Sequence, residues 1–186
     1  MNAARGSEVI KIWPEESQEA AKLVIDTYGE PHEATESMLV WHGVGPWKRI
    51  EASRAFARHS FPAPHIDSVT SVIDHRVPPE KVTELTQFDG SVVVARTAGE
   101  VAARCHDEQA NLLALNLMND IVNGDRTVDD ARDYYAEEFL AVRRGDSAPY
   151  MEGLRFAPTG AGAGDPDARA LSDDQLERAS AQGGNG

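Results

Sequence analysis

The sequence predicts an α+β domain: a mostly antiparallel sheet with helices packed against it, followed by a flexible C-terminal tail. Three observations predict it. Short β-prone runs come in pairs separated by turn-forming residues, as hairpins require. Longer stretches carry helical apolar spacing with recognisable starts and stops. The order of elements, α, ββ, β, α, ββ, α, α, lacks the strict strand–helix alternation of a parallel sheet.

Each element has a local reason. The first helix spans Glu15 to Tyr28, opened by Pro14, closed by Gly29 and followed by Pro31, with Ala20, Val24 and Tyr28 on one face. Ser37 to His42 and Trp47 to Ser53 read as strands joined through Gly43-Val44-Gly45-Pro46. A proline-interrupted loop is expected from Arg58 to Asp67, then a strand from Val69 to Val77, which Pro78-Pro79 ends while starting a short helix to Phe88. Asp89-Gly90 turns into Ser91 to Arg96, and Ala98-Gly99 folds that strand back onto Glu100 to Cys105. The helix from Asp107 to Asn123, stopped by Gly124, carries Leu112, Leu113, Leu115, Leu117, Met118, Ile121 and Val122 and is the central packed helix. The last long helix starts at Thr127, has Asp129 and Asp130 in its first turn, and ends in the basic pair Arg143-Arg144.

The domain is expected over residues 9–156, with a flexible N-terminus at 1–8 and a Gly/Ala-rich acidic tail at 157–186. The tail stretch Thr159-Gly160-Ala161-Gly162-Ala163-Gly164 offers little to bury. Within it, Ser172 and Gln175 can form a reciprocal cap, and Leu171 can staple against Leu176, so a short helix is expected there. Leu171, Ser172, Asp173, Leu176, Gly183 and Gly184 resemble the C-terminal end of double-glycine leader peptides of ribosomally made natural products. Only Asn185 and Gly186 follow that glycine pair, and the spacing from Leu176 to Gly183 is longer than the pattern's, so the favoured reading is an acidic disordered tail with a nascent helix.

The chain has 186 residues, 18 Lys and Arg against 31 Asp and Glu, and a net charge of −13. That balance argues against nucleic-acid partners, which need clustered cations, and against docking on an anionic membrane. No apolar run approaches the ~20 residues of a membrane span. The N-terminal residues lack an apolar signal segment, and Cys105 is alone, so neither an intrachain disulfide nor a zinc site built from four cysteines can form; a cytoplasmic location is expected.

The most site-like segment is Arg58-His59-Ser60-Phe61-Pro62-Ala63-Pro64-His65-Ile66-Asp67. His65 and Asp67 are two apart, so in extended backbone they project to the same side and can supply an imidazole and a carboxylate to a divalent metal, or a base with its orienting acid. The alternative is a loop in which His65 bonds a carbonyl and Asp67 caps a turn. His106 and Asp107, at the start of the central helix, are candidates to complete a metal site, with helix capping as the alternative. Trp47, Lys48 and Arg49 could hold an anionic or planar ligand, or be core and surface residues. Asn111 lies on the apolar stripe of the central helix, where its amide either orients a ligand or is a satisfied core group.

Gly-x-Gly-x-x-Gly after a strand, the Walker A loop, Gly-x-Ser-x-Gly and His-Glu-x-x-His are all missing. The Gly45-Pro46-Trp47-Lys48-Arg49 and Phe61-Pro62-Ala63-Pro64-His65-Ile66-Asp67 stretches resemble a group of uncharacterised bacterial proteins, a resemblance that implies no activity and carries no functional residue over. The function expected is therefore binding of a small ligand or a divalent metal, with an enzyme left open; the alternative is an interaction protein acting through its tail.

Overall fold

In a computed structural model, residues 5–183 are described. They form a two-layer α+β structure. The helices are α1 (Gly6–Val9), α2 (Glu15–Tyr28), α3 (Val82–Phe88), α4 (Glu108–Asn123), α5 (Val128–Arg144) and α6 (Asp173–Gly183). The strands are β1 (Glu33–Ala34), β2 (Met38–His42), β3 (Arg49–His59), β4 (His65–Asp74), β5 (Val92–Ala95) and β6 (Glu100–Cys105). They form one antiparallel sheet in the order β1-β2-β3-β4-β6-β5.

Strand alternation sorts the sheet into two faces. Ile50, Ala52, Val69, Ile73, Val101, Ala103 and Cys105 are buried under the helices, α2 and α4 packing directly on the strands. The opposite face carries Arg49, Glu51, Asp74 and Glu100 in ion pairs. Central α4 buries Leu113, Leu115, Leu117, Met118 and Ile121 completely, and α5 packs on it and on α3. Asp107 caps α4 by accepting from the Ala110 N–H at 2.9 Å, while Thr127 and Asp130 form a reciprocal capping box on α5. No helix of the described residues is long and apolar enough to cross a membrane.

Two expectations need correcting. The loop expected over 58–67 is only 60–64, because β3 runs on to His59 and β4 begins at His65; a register shift between Ala52 and Ala57 lets the longer β3 stay paired. The stretch after Phe156, expected to be flexible, is held to the body as far as Asp167. The Gly160 N–H donates to the Asp74 carbonyl at 2.9 Å, Arg76 donates to the carbonyls of Ala163 and Gly164, Arg96 pairs with Asp165 and Asp167, and Ala163 is buried. Small residues have little side chain to bury, but they let one backbone approach another closely enough for such bonds. At the other end, Gly6 and Ser7 belong to α1, where the Ser7 hydroxyl donates to Glu30; residues 1–4 of the expected flexible N-terminus lie outside the described residues. The expected tail helix is α6, with the Ser172 N–H donating to Gln175 at 2.8 Å; of the glycine pair after it, Gly184 lies outside the described residues.

Candidate metal centre

The site sits where β3 turns into β4. His59 and His65 are directly paired across the two strands, their ring centroids 4.9 Å apart. Two residues along β4, Asp67 is on the same helix-facing side as His65 and only 2% exposed. Asp67 Oδ1 lies 3.0 Å from His65 Nε2, and Asp67 Oδ2 lies 3.3 Å from His59 Nδ1. Ser91 donates its hydroxyl to Asp67 Oδ2. Behind His59, at the C-terminal cap of α3, Asp89 Oδ1 is 3.8 Å from His59 Nε2 and accepts the Ser91 N–H at 2.8 Å.

The hydrogen-bonding pattern leaves this cluster incomplete. His65 Nδ1 lies 2.8 Å from the Ala63 carbonyl, which can only accept, so Nδ1 carries the proton and Nε2 is the atom turned to Asp67. A neutral His65 would then set a nitrogen lone pair against a carboxylate. The contact needs a cation between the two groups, either a proton on Nε2 or a metal ion. The nearby Asp67 carboxylate raises the His65 pKa above the ordinary imidazole value, against the lowering effect of burial. Burial raises the Asp89 pKa, opposed by the Ser91 N–H and by His59. Despite the short distances, His59 Nδ1, Asp67 Oδ1 and Asp89 Oδ2 are buried without an aligned hydrogen-bond partner. Half of the six unpartnered buried side-chain atoms among the described residues fall in this one cluster, the others being Ser68 Oγ, Arg104 Nε and Asn111 Oδ1, and a metal ion, an added proton or ordered water can supply the partner they lack.

His59, His65 and Asp67 can each present one ligand atom with all three within 4.8 Å of one another. Around zinc, ligands at about 2.0–2.2 Å in tetrahedral array are separated by roughly 3.3–3.5 Å. The 3.0 Å from His65 Nε2 to Asp67 Oδ1 is near one such edge, while the 3.3 Å from His59 Nδ1 is to the other oxygen of the carboxylate, Oδ2. The His65 Nδ1–carbonyl contact is of the kind that orients an imidazole, and the Asp89 carboxylate stands 3.8 Å behind His59 Nε2, beyond hydrogen-bond distance.

His65 also forms part of the wall of a cavity of about 250 Å3, shared with His106, Asp107, Tyr135, Phe139 and Met151 among others. The other residues singled out in the sequence are placed differently. Asp107 is committed to capping α4, and neither it nor His106 belongs to the three-residue cluster, although both border the cavity beside it. Lys48 pairs with Asp74 and Glu100, and Arg49 with Glu51 and Glu100, on the outer sheet face. Arg49 is opposite Val72, seven residues along β4 from His65, or about 23 Å at strand rise. Neither can serve as an anion clamp for His65. Trp47 is buried and donates its indole N–H to Glu108 at 2.6 Å. Asn111 is fully buried and donates to the Val69 carbonyl at 3.0 Å and to Ser71 Oγ at 2.9 Å, tying α4 to β4, while its Oδ1 has no partner among the described residues.

Sequence reasoning misses His59 and Asp89. A five-residue connection at 60–64 would pair His59 with His65, but the two prolines read as a longer loop. Asp89 reads as half of an Asp-Gly turn, and its place behind His59 depends on the α3–β5 junction meeting the end of β3. Compared with protein-family models, curated proteins and solved structures, the chain matches none.

Proposed function

We propose that this protein binds a divalent transition-metal ion through His59, His65 and Asp67, with Asp89 orienting His59. The observation that carries this reading is that His59, His65 and Asp67 can each offer one ligand atom within 4.8 Å of the others, in a cluster where His59 Nδ1 and Asp67 Oδ1 are buried and unpartnered. Two imidazoles and one carboxylate suit zinc and its first-row neighbours better than calcium or magnesium, which prefer all-oxygen shells. Three protein ligands leave a fourth position for water or an organic ligand, the arrangement of metal sites that do chemistry. The adjoining cavity supports a small ligand there, and the single buried thiol, Cys105, fits a reducing, cytoplasmic setting.

The test is metal analysis of protein purified without a histidine tag, followed by thermal unfolding of chelated protein with added Zn2+. At a hundredfold excess over Kd, binding adds about 2.7 kcal/mol, which for a chain of this size is roughly 5–10 °C in Tm. His65→Ala and Asp67→Asn should abolish that shift. A wild-type protein indifferent to every divalent metal would overturn the reading.

A second reading concerns the tail. Helix α6 buries none of its residues, and Leu171 and Leu176 are exposed on a segment with acidic Asp173, Asp174 and Glu177. This supports a protein partner that the helix engages through its leucines. Ending the chain after Asp167 should leave stability unchanged and remove that partner; retention of the partner by a Leu171→Ser, Leu176→Ser variant would exclude this role.

A further inference from the structure

The cavity beside the cluster has its own chemistry. Its walls include Tyr135, Phe139 and Met151, which supply an apolar body. Its polar groups are unevenly committed. The one carboxylate, Asp107, is occupied by the Ala110 N–H. Among the described residues, the side chains of His106 and Arg143 take part in no hydrogen bond or ion pair, and Arg143 Cζ lies over the Phe139 ring, 3.8 Å from its centroid. This opening therefore presents two uncommitted donor side chains beside one carboxylate that spends Oδ1 on its helix cap.

Size and charge narrow the occupant. A volume of about 250 Å3 lies below the range of roughly 300–1,000 Å3 that holds drug-sized ligands. Arg143 offsets the charge of Asp107, and a divalent metal bound beside Asp67 would leave one net positive charge, so the cavity balances a single negative charge. A dianion such as phosphate would be left under-neutralised there. A planar carboxylate also matches the donor fork of a guanidinium.

We infer that this cavity binds a small monocarboxylate with an apolar, ring-sized body, its carboxylate held by Arg143 and His106 in the cavity that His65 also borders. The assignment rests on the metal reading, because His65 is the residue shared by cluster and cavity.

Calorimetric titration of benzoate and of acetate into zinc-loaded and chelated protein tests it. The zinc-loaded protein should bind benzoate at least about tenfold tighter than acetate, because only benzoate fills the apolar walls. Arg143→Ala should weaken benzoate by about tenfold or more without changing zinc affinity, and Arg143→Lys should restore only part of the loss. Removing zinc should weaken benzoate as well. Equal binding of benzoate and acetate, insensitivity to Arg143→Ala, or tighter binding of inorganic phosphate would overturn the inference while leaving the metal reading intact. Failure of zinc itself to bind would overturn the metal reading, and benzoate binding to chelated protein as well as to loaded protein would overturn the link between the two.

Discussion

His59 and His65 form the last rung of the β3–β4 ladder, face to face across the strands with ring centroids 4.9 Å apart. Antiparallel pairing places directly opposed side chains on one face at about 4.5–5.5 Å between Cβ atoms. The turn at 60–64 therefore does more than reverse the chain. It brings two imidazoles from different strands to one buried carboxylate, Asp67, and leaves Asp89 behind the first of them.

Asp89→Asn tests the outer contact. The amide keeps an oxygen to accept the Ser91 N–H but removes the negative charge near His59 Nε2. Metal affinity should fall by about 10–100-fold, the usual cost of losing such a partner. The chelated variant should be as stable as wild type or more so, because a 2%-exposed carboxylate close to Asp67 is no longer buried. Competition titration with a coloured chelator measures the first effect and thermal unfolding the second; wild-type affinity in this variant would exclude an orienting role for Asp89.

Asn111→Ala separates a core amide from a ligand contact. Its NH2 group is the donor to Val69 O and Ser71 Oγ inside the α4–β4 interface. Truncation should cost about 1–3 kcal/mol in urea unfolding, as the loss of a buried hydrogen-bonding group does. Metal affinity should not change. A loss of affinity with unchanged stability would instead put Asn111 at a binding surface.

These contrasts show which parts of the molecule can be read from local chemistry. Helix α2 begins and ends where Pro14 and Gly29 predict, and the caps at Asp107, Thr127 and Ser172 act within three residues of themselves. The spacing of His65 and Asp67 is legible for the same reason, since strand alternation is local. The rest depends on distant partners. Placing β4 against β6 requires the chain to pass through α3 and β5 first, and His59 and Asp89 join the site through register and tertiary packing. The strap at 157–167 is not legible in its own residues because the groups that hold it, Arg76 and Arg96, lie far back in the sequence.

His75 makes that strap sensitive to acid. Its Nδ1 accepts the Thr159 N–H at 3.2 Å and its ring packs on Phe156 at 5.0 Å, so the neutral form is required; burial lowers its pKa. The unfolded imidazole titrates near about 6.5. Between that value and the lower folded one, the unfolded chain binds more protons, so the contribution is complete above the unfolded pKa and is lost as pH falls through the folded pKa. His75→Leu, which keeps a packing group but cannot titrate, should show a shallower fall of Tm on acidification than wild type. The protection factor of the Gly160 amide, its exchange rate taken relative to the free-peptide rate at each pH, should fall in acid in wild type only; identical pH profiles would sink this account.

Gly99 sets how closely the strap can lie. Its φ is +67°, a conformation costly for residues with a side chain, and an added Cβ would stand 2.3 Å from Gly164 N and 2.4 Å from the Ala163 carbonyl carbon. Gly99→Ala therefore incurs both backbone strain and a collision with main chain that cannot rotate away. Together these should destabilise the protein by about 1–3 kcal/mol in denaturant unfolding. The two parts can be separated. In a chain ending at Ala157 the strap is gone, so the substitution should cost only the backbone component, about 1 kcal/mol. Arg96→Ala removes the paired charges on Asp165 and Asp167 but leaves the Arg96 carbonyl that accepts the Asp165 N–H, so it should raise protease sensitivity in the strap less than Gly99→Ala does. An equal cost of Gly99→Ala in the full and shortened chains would mean that the glycine serves its own turn and not the approach of the strap.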